Sequence, residues 1–390
     1  MAFLASNFIY HIGPLLRQHL LMVLFETLAV VLIANAFENS GKARNWRIVA
    51  AFAMLLLAGY TKQLAYSTCI AVAGWLFLRN PRLALQYSIG LITVAGAIFV
   101  GAMFLTDGQW WVNIISSNQN EYITEQFVGL MMLFVRLHFP LLILAGLMTL
   151  YELYATRLSV YSVWFVVSFI STIGAGKWGA GDSYFATTLA GACVLAGIFV
   201  ARSLNQGWSI RSGTGASVVS LSGLVLLIIY GGLVIKLPTN SIYEPIADAL
   251  NITPKPGHRY PLYDSARWTV GYAVTGHFPS QEDYAQGWYI TERVQAVDGL
   301  VISEDAGFVI QADRDVVTNA VQLRNLWEND LYEPTELLAL LENHEIKLVI
   351  RRADLFPVPI LIAIDTYYQL DETVEMNGFT YELWIPRDET

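Results

Sequence analysis

The sequence predicts a polytopic α-helical membrane domain of about eight helices, followed by a small soluble α/β domain. Hydrophobic residues make up 55% of the chain and charged residues only 14%, which is too apolar for an ordinary soluble protein of 390 residues. The two ends also differ in charge, because 25 of the 32 acids follow Lys236 while 13 of the 23 basic residues lie in residues 1–236. We therefore predict a transmembrane domain at 1–236 and an extracytoplasmic α/β domain at 237–390.

The membrane domain is predicted from apolar runs near the length that lets a helix cross a bilayer, about 20 residues. Eight such runs occur up to Lys236, and the second and third are short. The predicted spans are 19–37, 46–61, 64–79, 83–105, 128–152, 159–175, 184–202 and 215–236.

Basic residues are distributed unevenly between the segments that connect these spans. Membrane proteins concentrate Lys and Arg in their cytoplasmic loops, so the more basic side is predicted to be cytoplasmic. The outer side then holds Lys62, the loops at 106–127 and 174–183, and the C-terminal domain. We expect these polar outer segments to line one cavity in a multi-pass protein of the cell membrane. The predicted cytoplasmic cations are Lys42, Arg44, Arg47, Arg79, Arg82, Arg157, Arg202 and Arg211.

Composition and cysteine usage set other classes aside. The Lys and Arg residues of the first domain are scattered between apolar runs, so no nucleic-acid partner is predicted. Cys69 and Cys193 both lie in apolar runs, and their positions give neither a disulfide framework nor metal-ligand spacing. Residues 1–16 lack a basic start and a cleavage pattern, so we predict a partial or re-entrant helix there rather than a signal peptide.

Lys62 is the first candidate site residue, because it interrupts two apolar runs. A charge at the centre of a bilayer costs at least about 2.5 kcal/mol, so such a lysine needs a partner. The plain interpretation is a helix end whose lysine reaches the headgroups. The neighbouring Gln63, with Tyr60 and Tyr66 close by, favours a site, and an ammonium group suits a phosphate.

The outer loop at 106–127 is rich in amides and aromatic rings. Its tryptophans are typical of an aromatic belt at the membrane surface. The alternative is a platform for a sugar or headgroup, lined by aromatic faces and amide donors. Arg136 and His138 could reach the same cavity, although a single histidine there is more often structural. The candidate ligand-binding residues of this loop are Trp110, Asn113, Asn118, Asn120 and Glu121.

A second outer loop, at 174–184, is rich in glycine and opens a helix. Glycines let the backbone approach a ligand closely, and a helix N-terminus attracts anions. The plain interpretation is a flexible turn with Asp182 or Ser183 as the helix cap. Together with Lys62, this loop adds Lys177, Ser183 and Tyr184 as candidate binding residues.

The C-terminal domain is predicted from strand and helix patterns. A buried strand is expected at 299–305, a helix at 334–343 and a second buried strand at 346–350. A hairpin is expected at 368–385 around the turn Asn377-Gly378. This order of strand, helix and strand predicts a small α/β domain.

These features resemble the GT-C membrane glycosyltransferases, in particular the protein O-mannosyltransferases and the aminoarabinose transferase of lipid A. The resemblance rests on Thr61-Lys62-Gln63 at an outer helix end, the amide-rich outer loop, the segment Asp182-Ser183-Tyr184 that opens a helix, and the C-terminal α/β domain. Ser183 stands where the family has Asn. Where the family often has Arg-Pro-Asp, this chain has Arg17-Gln18-His19. The resemblance implies that the given sequence begins after the family's catalytic aspartate loop.

The resemblance implies transfer of a hexose or pentose, with inversion, from a polyprenyl-phosphate donor to a lipid, glycan or protein acceptor on the outer face. Lys62 would match the family lysine that contacts the donor phosphate, and Gln63, Lys177 and Arg136 are the other candidate phosphate-binding residues. The reaction needs a base for the acceptor and a cation, either lysine or a divalent metal, for the leaving phosphate. Asp182 and Asp107 are the favoured bases among the outer acids, which also include Glu121 and Glu125; no metal ligands and no certain cofactor are predicted.

Two other functions stay open. The chain could be a non-catalytic, shortened protein that binds a lipid-linked sugar, or a transporter, although no paired internal repeat is visible. Glu26, inside the first apolar run, could pair with a polar group on another helix, stay protonated or contribute to catalysis.

Overall fold

The computed structural model describes residues 2–3, 6, 18–38, 40–205, 208, 214–235, 281–376 and 379–387. The chain forms two compact units, the first comprising Met1–Val100 and Tyr122–Trp268, and the second Gly101–Glu121 and Thr269–Thr390. The predicted domain boundary after Lys236 lies outside the described residues. So does most of the predicted helix at 1–16.

The first unit is mostly helical, and a helix lies over each of the eight predicted windows. The last five residues of α4 belong to the second unit. The helices are α1 (His19–Ala36), α2 (Gly41–Thr61), α3 (Tyr66–Arg79), α4 (Pro81–Leu105), α6 (Thr124–Ala155), α7 (Val160–Ser171), α8 (Ala186–Leu204) and α9 (Thr214–Ile235), with α5 (Gln109–Ile114) in the second unit.

Within the part of the chain that the structure describes, four helical segments are long and apolar enough, by length and composition, to cross a membrane: His19–Ala36, Pro81–Leu105, Thr124–Ala155 and Asp182–Leu204. Helix α2 has the length, but its first turns carry Lys42, Arg44 and Arg47. Helices α3 and α7 are 14 and 12 residues long, which is shorter than a typical span. The prediction of about eight membrane helices is therefore supported in part.

Helix α4 is the clearest sign of an apolar environment outside the protein. Its 25 residues have a mean hydropathy of 2.2 in their most apolar window, and no residue of that window is buried. Ile89 and Ile92 are more than half exposed. An apolar face of this size is typical of contact with lipid or with another protein.

The core of the first unit lies between α1, α2, α3, α6, α7 and α8. Helix α1 packs on α2, α3 packs on α7, and α6 packs on α8. Small residues allow the close approach of α7 and α8, because a Cβ at Gly191 would lie 3.3 Å from the Phe165 backbone. These contacts fix the helix ends on which the polar residues lie.

The second unit contains a four-stranded mixed sheet, as the sequence predicted for the C-terminal part. Strands β1 (Leu300–Ser303) and β2 (Ile346–Arg351) are parallel, whereas β3 (Tyr368–Met376) and β4 (Phe379–Pro386) form an antiparallel pair. The order is β1-β2-β4-β3, since β4 pairs with β2. The pairing of the predicted hairpin is confirmed, while its turn residues lie outside the described ranges.

Helices cover both faces of this sheet, and several were not predicted. Leu348 and Ile350 of β2 pack in one cluster with residues of α10, and Val349 packs in the other with residues of α14. The helices are α10 (Gln281–Ala296), α11 (Ala306–Gln311), α12 (Ala320–Glu328), α13 (Thr335–Glu342) and α14 (Val358–Tyr367).

Candidate functional site

Lys62 lies at the break between α2 and α3. Its backbone is extended, with φ −159° and ψ 135°, and its N–H donates to Ala58 O at 2.9 Å, which ends α2. The 3₁₀ turn Gln63–Ala65 then leads into α3. The Lys62 side chain is half-buried, whereas Gln63 is exposed. A lysine at such a junction can reach a polar group beside the helix ends.

The side chain of Gln126 supports the glycine-rich loop between α7 and α8. The loop contains the 3₁₀ turns Thr172–Gly176 and Asp182–Phe185. Gln126 is 2% exposed, and its Nε2 lies 2.7 Å from Ala175 O, 2.8 Å from Lys177 O and 3.2 Å from Ala180 O. Because buried carbonyls need donors, this amide fixes the loop on the first turn of α6.

Two aromatic rings occupy the space left by the glycines of this loop. A Cβ at Gly176 would overlap the ring of Tyr122, and a Cβ at Gly174 would contact the ring of Tyr184 at 3.5 Å. The N–H of Ile123 donates to Gly176 O at 2.7 Å, beside a β-bridge between Tyr122 and Lys177. Close packing against rings is therefore the structural reason for glycine at 176.

Lys62 and the glycine-rich loop meet at Tyr184. The Lys62 Nζ lies 5.8 Å from the centroid of the Tyr184 ring, within the range of a cation–π contact. Tyr184 is half-buried and belongs to the turn that opens α8. Two segments that the sequence singled out separately thus come together in the first unit.

Lys177 and Asp182 lie on the same loop as Tyr184. Burial lowers the pKa of Lys177, so its charged form is less favoured than in water. Asp182 is half-buried in the first turn of the segment that enters α8, and Ser183 is 3% exposed. The loop therefore carries one cation and one carboxylate. The buried hydroxyl of Ser183 lies between Asp182 and Tyr184 in the sequence.

Two other predicted site residues lie within α6. His138 is fully buried, its Nδ1 lies 3.0 Å from the hydroxyl of Tyr230, and its ring packs on Phe134. Arg136 is half-buried and makes no ion pair or hydrogen bond with any residue in the described ranges. His138 thus contributes to the helix core, which is the structural role that a single histidine usually has.

The remaining predicted residues belong to the second unit: Asp107, Trp110, Asn113, Asn118, Asn120 and Glu121. Asp107 has a φ of 47° in the exposed turn before α5. The Asn118 Nδ2 donates to the backbone oxygens of Asn113 and Ile114, and Asn113 Oδ1 accepts from Gln322 of α12 at 3.1 Å. These amides therefore hold the segment together and attach it to α12.

A fully buried acid, Glu26, forms a network that the sequence did not predict in detail. Its two carboxylate oxygens accept from Thr68 Oγ1 at 2.6 Å and from Thr187 Oγ1 at 2.7 Å. Thr68 Oγ1 in turn accepts from the indole N–H of Trp164 at 2.9 Å. Of the alternatives stated for Glu26, the structure shows pairing with polar groups on other helices, which joins α1, α3, α7 and α8.

Gln126 is the functional neighbour that sequence reasoning missed. An amide in the first turn of an apolar helix could have indicated a residue that binds a neighbouring loop. Its three acceptors, however, lie about 50 residues away in sequence. Among the described residues, no three His, Cys, Asp or Glu side chains form a group that could hold a metal ion.

Comparison with known proteins gives no assignment for this arrangement: no family model, no curated protein and no solved structure matches the chain. The fold and the site define a mostly helical protein with several potential membrane spans, a C-terminal mixed α/β unit and a lysine–tyrosine contact between two polar loops.

Proposed function

We propose that the chain is a multi-pass membrane protein whose first unit lies in the bilayer, with the basic helix ends in the cytoplasm and the α/β unit outside. The four potential spans and the exposed apolar surface of α4 support insertion. The distribution of Lys and Arg supports the orientation. On this topology, Lys62 and the glycine-rich loop lie at the outer surface.

We further propose that the protein transfers a sugar from a polyprenyl-phosphate donor to an acceptor on that surface. The single observation that carries this proposal is the contact between Lys62 Nζ and the Tyr184 ring. It joins a cation at a helix break to a glycine-rich loop that also carries Lys177. An ammonium group donates well to phosphate, and a glycine-rich loop lets a ligand approach the backbone.

The proposed reaction is a single displacement at the anomeric carbon. The acceptor oxygen forms a bond to that carbon, while the bond from the carbon to the phosphate oxygen breaks and polyprenyl phosphate leaves with the electron pair. Lys62 and Lys177 stabilise the charge of the leaving phosphate. Asp182, on the same loop, takes the proton of the acceptor hydroxyl.

The test is a transfer assay with the purified full chain in nanodiscs, a radiolabelled polyprenyl-phosphate sugar and candidate lipid, glycan or peptide acceptors. We expect Lys62→Ala and Asp182→Asn to abolish transfer and Lys42→Ala, at the other end of α2, to leave it unchanged. Loss of transfer in Asp107→Asn but not in Asp182→Asn would identify Asp107, rather than Asp182, as the base. Equal transfer by wild type and Lys62→Ala would remove Lys62 from the site.

Donor binding by the wild type without transfer to any acceptor would contradict catalysis and favour the non-catalytic alternative. Solute flux in proteoliposomes without sugar transfer would favour a transporter instead. The binding and flux experiments thus separate the three functions that the sequence left open.

A further inference from the structure

A cavity of about 580 Å³ lies at the end of the first unit that carries the basic residues. It is formed where α1, α3, α6 and α8 end and where α7 begins. Helix α3 runs from the Lys62 junction to this cavity, and its 14 residues separate the two by about 20 Å. The cavity is therefore distinct from the site proposed for sugar transfer. Its lining residues are Ala34, Phe37, Trp75, Arg79, Glu152, Thr156, Arg157, Ser159, Val160, Tyr161 and Arg202.

One wall of this cavity is fixed by hydrogen bonds to the loop between α6 and α7. The indole N–H of Trp75 and the Nη2 of Arg79 both donate to Leu158 O, at 3.0 and 2.9 Å. On the other side of the loop, Glu152 Oε2 accepts from Ser159 N and from Ser162 Oγ, at 2.7 Å each. Trp75 and Glu152 are at most 5% exposed. The cavity thus has a preformed polar wall.

Three guanidinium groups and one carboxylate line the cavity. The Arg79 guanidinium lies 5.1 Å from the Trp75 ring, and that of Arg202 lies 5.6 Å from the Tyr151 ring. Such stacking orients the planar donor groups. The carboxylate, Glu152, is already bonded to Ser159 and Ser162. The lining therefore carries an excess of positive charge.

Helix ends explain part of this charge. Arg79 and Arg202 lie in the last turns of α3 and α8, where the helix dipole favours cations. Arg157 is different, because it follows the end of α6, is exposed and makes no hydrogen bond or ion pair with any described residue. The helix dipole therefore does not account for Arg157, which also lines the cavity.

We propose that this cavity binds the phosphate group of an anionic ligand. Arginine matches phosphate with two parallel hydrogen bonds, and the volume lies in the range of about 300 to 1,000 Å³ that holds small ligands. One N–H of Arg79 donates to Leu158 O, whereas a guanidinium carries five donors. At the basic end of apolar helices, the phosphate can belong to a phospholipid headgroup or to a soluble phosphate.

The first arm of the test determines whether the cavity binds the phosphate of a lipid headgroup. The purified full chain is placed in nanodiscs of phosphatidylcholine with phosphatidylglycerol, and native mass spectrometry counts the lipids retained after release. We expect the wild type to retain phosphatidylglycerol and Arg157→Gln/Arg202→Gln to retain at least about tenfold less, because the double variant removes two of the three guanidinium groups that line the cavity. Arg82→Gln is the matched control, because Arg82 has the same charge at the same end but does not line the cavity.

The second arm determines whether the cavity binds a soluble phosphate. Inorganic phosphate is added to the detergent-solubilised chain, and the midpoint of thermal unfolding is measured. A rise for the wild type that is absent in the double variant, without a lipid preference, supports the site with a soluble phosphate. The single variant Arg157→Gln serves as a second probe, because it removes no hydrogen bond within the described residues and should fold normally.

Two results would overturn the proposal. One is retention and thermal midpoints that are the same for wild type, Arg157→Gln and the double variant in both arms. The other is an equal loss of phosphatidylglycerol in Arg82→Gln, which would assign the lipid preference to the basic surface as a whole. Failure of sugar transfer has no bearing on either arm.

Discussion

The two units of the protein accommodate a glutamate in opposite ways. In the first unit, Glu26 is fully buried among helices and accepts hydrogen bonds from the side chains of Thr68 and Thr187. In the second unit, Glu304 follows β1 and accepts from the backbone N–H groups of Arg352, Ala353 and Leu355, at 2.5 to 2.8 Å. One acid is held by threonine hydroxyls, and the other by a single loop.

The difference follows from where backbone donors are available. Within a helix nearly every N–H is bonded to a carbonyl four residues earlier, so an acid between helices must find side-chain donors. A loop after a strand has N–H groups without a ladder partner, and a carboxylate can collect several of them. Threonine hydroxyls can rotate to another acceptor when the acid is removed, whereas the N–H groups of a fixed loop cannot.

The largest effect is therefore expected for Glu304→Ala. The substitution leaves three backbone N–H groups without their acceptor, at about 1 kcal/mol or more each, and should lower the free energy of unfolding by about 3 kcal/mol. Hydrogen exchange of the full chain should show loss of protection at 351–355. Exchange there at the wild-type rate would mean that the loop is held by other contacts.

A smaller loss is expected for Glu26→Ala. The hydroxyls of Thr68 and Thr187 can turn to backbone carbonyls in the preceding turn, so we expect a loss of about 1 to 2 kcal/mol. Thermal unfolding of the purified chain measures it, with Glu26→Gln as the control of nearly equal shape. A greater loss of stability in Glu26→Ala than in Glu304→Ala would contradict the proposed difference between threonine and backbone donors.

Gln126→Ala tests whether side chains also organise the loops of the first unit. The substitution removes the amide whose two N–H groups donate to three loop carbonyls. We expect the free energy of unfolding to fall by about 1 kcal/mol. Proteolysis should become faster within 174–181. Gln126→Glu is an informative partner variant, because it keeps the shape but replaces the donor with an acceptor. Unchanged proteolysis in both variants would show that the loop needs no support from α6.

The smallest effect is a pH dependence in the second unit. Burial raises the pKa of Glu304, and the N–H groups of Ala353, Arg352 and Leu355 oppose this shift without cancelling it. The folded state then binds more protons than the unfolded state between the ordinary glutamate pKa and the raised one. Stability contributed by this group is present below the ordinary pKa and is lost as the pH rises through the raised pKa.

The measurement is the midpoint of thermal unfolding across that pH window for wild type and Glu304→Gln. We expect the wild type to lose stability relative to the glutamine variant as the pH rises. Parallel curves for the two proteins would contradict a raised pKa.

Local patterns explain what the sequence predicted well. Long apolar runs gave the positions of the helices in the first unit, and alternating residues around Asn377-Gly378 gave the pairing of β3 and β4. The short apolar run of α14 was missed, because periodicity does not distinguish a buried helix from a strand over this length.

Long-range partners explain what the sequence could not provide. Thr68 and Thr187 lie 42 and 161 residues from Glu26, and no local pattern connects them. The same holds for Gln126 and the loop it supports. Lys62 and Tyr184 were both named as candidates because each lies at a helix end in a polar segment, but only the packing of the helices brings them into contact.

The most direct test of the central claim measures binding rather than transfer. Polyprenyl phosphate is titrated into nanodiscs that contain wild type, Lys62→Ala or Lys42→Ala. The two variants each lose one lysine, at opposite ends of α2. If Lys62 and the Tyr184 loop form the phosphate site, Lys62→Ala weakens binding by about tenfold or more and Lys42→Ala leaves it unchanged. Equal affinity of all three proteins would contradict the claim.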